Sequence, residues 1–233
     1  SPDAVGCPSG DFWTSMGMLM SEISAVTVSE WLKDYSAVIS EHANELTDLD
    51  RQIGDADHGS NMARGMTAVA ALDPESFTSA SELLKKAGMT LVSTVGGASG
   101  PLYGTFFLRL STVIKTDGEP NAQLLAEALD AGLAGIVARG KAEVGDKTLV
   151  DTLSPAVDAA KQVAAGGGSV VEALIKAAEA ANKGRDATIE MVARRGRASY
   201  LGERSKGHQD PGATSMALLI ESAAQCLSGA NHE

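Results

Sequence analysis

Segment 50–61, with the sequence DRQIGDADHGSN, concentrates three carboxylates in one short stretch of the chain. Asp50, Asp55 and Asp57 lie within eight residues and are interleaved with glycines that let the backbone turn tightly. Carboxylates this close repel one another unless a cation or a proton neutralises them. In nucleotide sites, Mg²⁺ is usually held by carboxylates together with substrate phosphates. The spacing therefore favours a divalent-metal site, and a solvated acidic turn that caps the next helix is the alternative.

His58 follows the last of these aspartates directly and is a second candidate ligand. It could bind the metal, hydrogen-bond a phosphate, or simply cap the next helix. An EF-hand is a competing metal-binding interpretation, but the D-x-D-x-D-G pattern and the closing glutamate of that motif are absent from the segment. The EF-hand interpretation is therefore rejected.

Segment 96–105, with the sequence GGASGPLYGT, is rich in small residues and leads into an apolar helical pattern. The N-terminus of such a helix presents free backbone N–H groups and a positive dipole end, which attract phosphate. Tight helix packing at the glycines is an equally good interpretation. No G-K-[S/T] sequence follows, so a P-loop fold is not indicated.

Two later loops carry positive charge. In segment 140–148, GKAEVGDKT, Lys141 and Lys147 could meet phosphates or could be ordinary surface lysines. Segment 194–214 is longer and richer in glycine than a helix connection requires, which favours function over a merely solvated basic loop. Its basic residues are Arg194, Arg195, Arg197, Arg204, Lys206 and His208.

Helices must position these loops, because apolar residues recur at three- and four-residue spacing and no segment alternates as a half-buried strand does. Capping boxes are predicted to begin helices at Thr27, Ser79 and Ser169, and Asn121 is predicted to cap another. The first helix is predicted to run unbroken from Thr27 to near Gly54, and a late one to pause at Gly184. About eight helices with short connections predict an all-α, antiparallel up-and-down bundle or barrel.

Length and composition limit the remaining possibilities. The chain has 233 residues, enough for one domain, with residues 1–26 expected to be a tail and 27–233 a helical domain. A net charge of −11 argues against a nucleic-acid partner. No apolar run approaches the roughly 20 residues that span a bilayer, so no membrane partner is expected. Cys7 and Cys226 are expected to be free thiols in a reducing cytoplasm.

The unusual loops together resemble a known family. The matching segments are LDRQIGDADHGSNMARG, GMTLVSTVGGASGPLYGTFFLR, GIVARGKAEVGDKT and GRASYLGERSKGHQDPGATS, which run in this order from about residue 48 to residue 215. They cover most of the chain, and it is similar to the nucleotide-binding L subunits of dihydroxyacetone kinases.

The resemblance implies a fold and a site. The fold would be an eight-helix antiparallel barrel with ADP or ATP bound at one end. Asp50, Asp55 and Asp57 would hold two Mg²⁺ ions that bridge the phosphates. Arg197 is in addition a candidate catalytic residue that stabilises the transferred phosphoryl group. Leu149 stands where some relatives carry Met, and both side chains can pack on adenine. The nucleotide-binding residues would be His58, Gly59, Ser60, Asn61, Ala98, Ser99, Gly140, Leu149, Arg197, Asp210, Pro211 and Gly212.

The resemblance also implies partners. A K subunit would hold dihydroxyacetone covalently on a histidine and receive the γ-phosphoryl group. In the phosphotransferase-dependent branch, which this short chain resembles, ADP would stay bound and a phosphohistidine M subunit would recharge it. Alternatives are a kinase subunit that exchanges free ATP and serves a related triose or tetrose, and a nucleotide-sensing module that docks on a transcription regulator.

Overall fold

The computed structural model describes residues 22–228, and within this part the chain forms nine α-helices and no β-strand. Three short 3-10 helices lie between them, at Pro74–Ser76, Thr188–Glu190 and Arg197–Ser205. The α-helices are α1 (Ala25–Glu41), α2 (Ala43–Ile53), α3 (His58–Ala70), α4 (Ala80–Thr94), α5 (Ser99–Val113), α6 (Ala122–Gly140), α7 (Val150–Ala165), α8 (Val170–Ala187) and α9 (Pro211–Ser228).

The helices form a closed ring. From α2 to α9 each helix packs against the next one along the chain, α9 returns against α1, and α1 contacts α3 and α4. The interior is built mainly of Leu and Ala, with the fully buried rings of Tyr35, Tyr103, Phe106 and Phe107 at its centre. Small aliphatic side chains let helix axes approach closely. The predicted all-α bundle or barrel is therefore confirmed.

The start of the first helix differs from the prediction. The N-cap is Ser24, whose hydroxyl accepts a hydrogen bond from the Thr27 backbone N–H at 3.2 Å. In return, the Thr27 hydroxyl accepts a hydrogen bond from the Ser24 backbone N–H at 2.9 Å. Thr27 is thus the third helical residue of a capping box and not its first member. The prediction failed because the capping-box pattern has Glu or Gln at the third helical position, whereas Thr27 occupies that position here.

The predicted long first helix is in fact two helices. His42 leaves the helical conformation (φ −94°, ψ 5°) and separates α1 from α2. Counting α1 and α2 as one bent helix gives the expected eight. Apolar spacing could not reveal this bend, because Ile39 and Leu46 on either side of it are both fully buried.

Gly184 does not interrupt α8, contrary to prediction. A Cβ atom at this position would lie 2.1 Å from the Asp151 carbonyl oxygen of α7. The glycine is therefore a close-contact point between α7 and α8 and does not end the helix.

Side-chain caps at Ser79, Asn121 and Ser169 are confirmed. Asn121 Oδ1 accepts from the Leu124 N–H at 2.8 Å. Replacing Asn121 by Ala should lower the free energy of unfolding by about 1 kcal/mol, because a backbone donor of α6 loses its partner. Urea unfolding followed by circular dichroism measures this change. Gln123→Ala, on the same exposed first turn, is the control, and equal losses in the two variants would contradict the capping role.

Residues 1–21, which make up most of the expected tail and include Cys7, lie outside the described residues. Residues 22–24 precede α1, residues 25 and 26 belong to its first turn, and Ile23 forms an isolated antiparallel bridge with Gly118. Cys226 is buried in α9. Across residues 22–228, none of the helices combines the length and the apolar character that a membrane crossing requires.

Candidate functional site

A cleft opens at the end of the barrel where the unusual loops converge. Its volume is about 700 Å³, within the range of roughly 300–1,000 Å³ that is common for small-molecule sites. The end of α2, the starts of α3, α5 and α9, the α6–α7 loop and the segment before α9 all border it. One wall is acidic and another is apolar.

The acidic wall consists of the three predicted aspartates. Carboxylate oxygens of Asp50, Asp55 and Asp57 all lie within 4.8 Å of one another. Asp50 is buried at the end of α2, whereas Asp55 and Asp57 are exposed on the loop that follows. Asp50 Oδ2 accepts from the backbone N–H groups of Asp57 at 2.8 Å and His58 at 3.1 Å. These two bonds fold the loop back, so that the exposed carboxylates face the buried one.

Gly54 makes this fold of the loop possible. A Cβ atom at this position would lie 2.1 Å from Asp50 Oδ1. Ala56 adopts a positive φ of 61°, which reverses the chain just before Asp57. The sequence linked the glycines to backbone bending in general, and the structure shows that Gly54 makes room for Asp50 Oδ1.

The negative charges of the three carboxylates repel one another. The pKa of Asp57 is raised by partial desolvation, by its hydrogen bond to Asp55, and by the negative charges of Asp55 and Asp50. A bound cation would relieve this repulsion. Three hard oxygen donors facing one point are also the ligand set that Mg²⁺ prefers, so these residues fit that ion.

Arg197 reaches the same cluster from the segment before α9. Its Nε lies 3.0 Å from Asp55 Oδ2, and its side chain is 71% exposed. The guanidinium therefore stands at the mouth of the cleft, beside the carboxylates, with most of its surface open to a ligand or partner. Arg195, a neighbour that the sequence hypothesis did not single out as a site residue, also borders the cleft and pairs with Asp146 at 3.4 Å.

His58 faces the cleft, but both ring nitrogens already have protein partners. Nε2 lies 2.8 Å from Ser215 Oγ, and Nδ1 lies 3.1 Å from Ser99 Oγ. Burial lowers the pKa of His58 to about 4, although the charge of Asp50 opposes this shift. The ring is therefore neutral at physiological pH.

Two helix N-termini point into the cleft. Ala98 precedes α5 without a side-chain cap, so backbone N–H groups of that first turn are not occupied by a capping side chain. Asp210 precedes α9 and accepts from the Ala213 N–H at 2.8 Å. Burial raises the pKa of Asp210 to about 7, while the Ala213 hydrogen bond and the charge of Lys147 oppose this rise. Both helix starts offer positive dipole ends to an anion.

Lys147 has a role that neither sequence interpretation anticipated. It is only 1% exposed, and its ammonium donates to the carbonyl oxygens of Thr188 at 2.6 Å, Met191 at 3.2 Å and His208. Desolvation lowers its pKa, and the charges of Asp210 and Glu190 counteract this. Lys147 therefore ties the basic segment to the barrel and does not present its ammonium to phosphates.

The apolar wall contains residues that sequence reasoning missed. Leu149 was expected there, but Leu102, Ile136, Ala142 and Val150 join it. In sequence they look like ordinary core positions, so periodicity could not separate them from the interior.

The predicted nucleotide-binding residues divide into two groups. Gly59, Ser60 and Asn61 lie on the first turn of α3, outside the lining of the cleft. A Cβ atom at Gly59 would lie 2.0 Å from the Ala43 carbonyl oxygen, so this glycine packs α3 against α2. The predicted residues that line the cleft are Asp50, Asp55, Asp57, His58, Ala98, Ser99, Gly140, Leu149, Arg197, Asp210, Pro211 and Gly212.

Most of the chain matches the model of a known protein family. The DAK2 domain matches residues 52–225, which include most of the cleft. The chain belongs to the DAK2-domain family. This DAK2 chain is 44% identical over 200 residues to the PEP-dependent dihydroxyacetone kinase ADP-binding subunit DhaL of Escherichia coli K12, covering 85% of this chain and 95% of the relative.

Two other kinases are also similar to this chain. The PTS-dependent dihydroxyacetone kinase ADP-binding subunit DhaL of Lactococcus lactis is 45% identical, with 84% of this chain and 94% of the relative aligned. The L-erythrulose kinase of Pectobacterium atrosepticum is 32% identical, with 89% of this chain but only 36% of that protein aligned. The resemblance to L subunits of dihydroxyacetone kinases is therefore confirmed, and the DAK2 chain is a kinase subunit.

A solved structure has the same fold. The dihydroxyacetone kinase of C. freundii in complex with AMP-PNP and Mg²⁺ superimposes with a TM-score of 0.64 at 26% identity. The alignment covers 97% of this chain and 36% of that one, so the DAK2 chain spans about a third of the larger kinase.

Proposed function

We propose that this chain is the ADP-binding, phosphoryl-carrying subunit of a phosphotransferase-dependent dihydroxyacetone kinase. The supporting observation is the extent of the match. The chain aligns with 95% of the E. coli ADP-binding subunit but with only 36% of the L-erythrulose kinase. Alignment with nearly the whole of a relative named as an ADP-binding subunit supports the branch in which separate subunits share the work.

Asp50, Asp55 and Asp57 hold magnesium in this proposal, with two ions expected. The bound metal supplies positive charge that offsets the phosphates and the carboxylates together. Asp50 contributes the buried ligand, and its bonds to the Asp57 and His58 N–H groups keep the loop in place. Asp55 and Asp57 contribute exposed ligands that face the nucleotide.

The nucleotide lies along the cleft from the aspartates to the apolar wall. Its phosphates approach Ala98, Ser99 and the Gly212 N–H at the start of α9, where the dipole ends of α5 and α9 favour negative charge. Its adenine packs on Leu149 and the neighbouring apolar side chains. Supporting this arrangement, the acidic and apolar walls border one cleft of suitable size.

Phosphoryl transfer in this proposal needs positioning and charge stabilisation and no protein nucleophile. The γ-phosphoryl group of bound ATP passes to dihydroxyacetone held on a K subunit, and ADP stays in the cleft. A phosphohistidine M subunit then rephosphorylates the ADP. Because both partners must reach the same phosphate, the exposed mouth of the cleft beside Arg197 suits this exchange.

The test is to denature the purified chain and identify the nucleotide released, and then to measure labelled-phosphate transfer. We expect retained ADP and transfer from a phosphorylated M-type protein onto it. A chain that accepts no phosphoryl group from that protein, although ADP is bound, would exclude the phosphotransferase-dependent branch.

A second candidate is a subunit that exchanges free ATP for a related triose or tetrose, because the L-erythrulose kinase is also a relative. Rapid exchange of bound nucleotide and turnover without a phosphoprotein would favour it. A transcription regulator is not included as a partner, since none of the relatives reported above is named for such an activity.

Arg197 contacts the transferred phosphoryl group in this proposal. Arg197→Ala should lower the rate of phosphoryl transfer by about 100- to 1,000-fold, because the developing charge loses a guanidinium partner. ADP affinity should change much less. Rapid-quench transfer assays and calorimetry measure the two quantities. Arg204→Ala, an exposed position on the same 3-10 segment, is the matched control. An equal rate loss in both variants would contradict the assignment.

A further inference from the structure

A row of polar groups runs from the interior of the barrel to the edge of the cleft. Tyr103 Oη lies 2.7 Å from Ser215 Oγ, which lies 2.8 Å from His58 Nε2. His58 Nδ1 lies 3.1 Å from Ser99 Oγ, and Ser99 borders the cleft. Three of these residues are buried, with Tyr103 and Ser215 at 0% exposure. We call these four residues the polar row.

The polar row joins separate helices. Tyr103 and Ser99 belong to α5, His58 begins α3, and Ser215 lies on α9. Tyr35 of α1 donates to the Ser215 carbonyl oxygen at 2.9 Å and so fixes the backbone of that serine. Buried polar groups cost free energy unless they are hydrogen-bonded, and a fully bonded set specifies one arrangement. Neither Tyr103 nor Ser215 reaches the cleft itself.

Hydrogen bonds along the polar row can run in two directions. In the first, Tyr103 donates to Ser215, Ser215 donates to His58 Nε2, and His58 Nδ1–H donates to Ser99. The Ser99 hydroxyl hydrogen is then free to donate into the cleft. In the second, Ser215 donates to the Gly212 carbonyl oxygen, 3.1 Å away, or to Tyr103 Oη, because either hydroxyl can be the donor of that contact. His58 then carries its hydrogen on Nε2, and Ser99 must donate to Nδ1.

A phosphate ligand favours the first of these two hydrogen-bond directions. Ionised phosphate oxygens accept hydrogen bonds and do not donate them. In the second direction Ser99 offers only lone pairs to the cleft, which a phosphate oxygen cannot use. In the first direction Ser99 adds a hydroxyl donor to the N–H groups at the start of α5.

We propose that Tyr103 and Ser215 are positioning residues that hold the hydrogen of His58 on Nδ1, so that Ser99 donates to a nucleotide phosphate. This inference rests on the proposed nucleotide site and adds to it two residues that never touch the ligand. They act through His58, which transmits the orientation of the buried hydroxyls to the cleft.

The experiment compares Ser215→Ala with Ser222→Ala. Both serines lie on α9 and are buried, at 0% and 1% exposure, but the Ser222 hydroxyl donates to Asp34 at 2.6 Å and lies outside the polar row. Nitrogen-15 NMR of the imidazoles reports which ring nitrogen of His58 carries the hydrogen, with His58→Gln used to assign the signals. Calorimetry with ADP and Mg²⁺ gives the affinity.

In the parent protein we expect a protonated Nδ1 and a bare Nε2 when ADP is bound. Ser215→Ala should move the two nitrogen signals toward each other, because Nε2 loses its donor. It should also weaken ADP binding about three- to tenfold, the effect of one hydrogen bond. Ser222→Ala should change neither quantity, even if it lowers stability.

Tyr103→Phe is a second test variant, and it removes only the phenolic oxygen from the polar row. It should shift the His58 signals in the same direction as Ser215→Ala and by a smaller amount. Unchanged His58 signals in both variants, or a protonated Nε2 in the ADP-bound parent, would overturn the inference. Absence of ADP binding by the parent would instead overturn the proposed function, so the two failures can be told apart.

Discussion

Replacing Asp55 by Asn should weaken Mg²⁺-dependent ADP binding by about 10- to 100-fold, because a metal site that loses one of three carboxylates loses about 1.4–3 kcal/mol of electrostatic attraction. Asp55 is exposed and its substitution is isosteric, so the helical fold should be unchanged. Binding of ADP without Mg²⁺ should stay the same or become stronger, since one negative charge near the phosphates has gone. Calorimetry with Mg²⁺ and with a chelator measures the two affinities.

Asp48→Asn is the matched control for this prediction. Asp48 is 63% exposed and pairs with Arg51, so its substitution removes the same charge from a neighbouring turn outside the cluster. Mg²⁺-dependent binding should be nearly unchanged in this control. If Asp55→Asn lowered affinity equally with and without Mg²⁺, Asp55 would not be a metal ligand.

Replacing Lys147 by Met should lower the free energy of unfolding by about 3–5 kcal/mol, a decrease in melting temperature of roughly 6–20 °C. The methionine fills much of the same space but leaves three carbonyl oxygens without their donor. Asp210 also loses a nearby positive charge. Urea unfolding and scanning calorimetry measure the effect.

Lys141→Met is the control, because Lys141 and Lys147 both have a positive φ, of 59° and 65°, and lie in the same loop. Lys141 is exposed at the end of α6, so its substitution should change stability by less than about 0.5 kcal/mol. Similar losses in the two variants would contradict the buried anchoring role of Lys147.

Most helices could be predicted from the sequence because their signals are local. Ser79, Asn121 and Ser169 cap helices through bonds to residues three positions away. Predictions failed where packing decided the outcome. The continuity of α8 through Gly184 reflects close contact with the Asp151 carbonyl oxygen of α7, which the local sequence does not reveal.

The cleft likewise contains residues that the sequence predicted and residues that it did not. Twelve of the predicted site residues line the cleft, and most of them were named by the family resemblance, because loop composition alone left other interpretations open. Gly59, Ser60 and Asn61 do not line it, although Asn61 hydrogen-bonds Asp57, a residue of the lining. Residues such as Leu102 and Ile136 were missed, because the residues of an apolar wall have the same sequence pattern as a core.

By itself, the sequence determined the chemistry of the acidic loop. Asp50, Asp55 and Asp57 are close along the chain, so the mutual repulsion that makes them a candidate metal site needs little tertiary structure. Only the tertiary structure decided that Lys147 anchors the basic segment and that Ser215 holds His58, from 157 residues away. Such bonds form where helices distant in sequence pack together, and burial then requires each polar group to find the partner that packing places beside it.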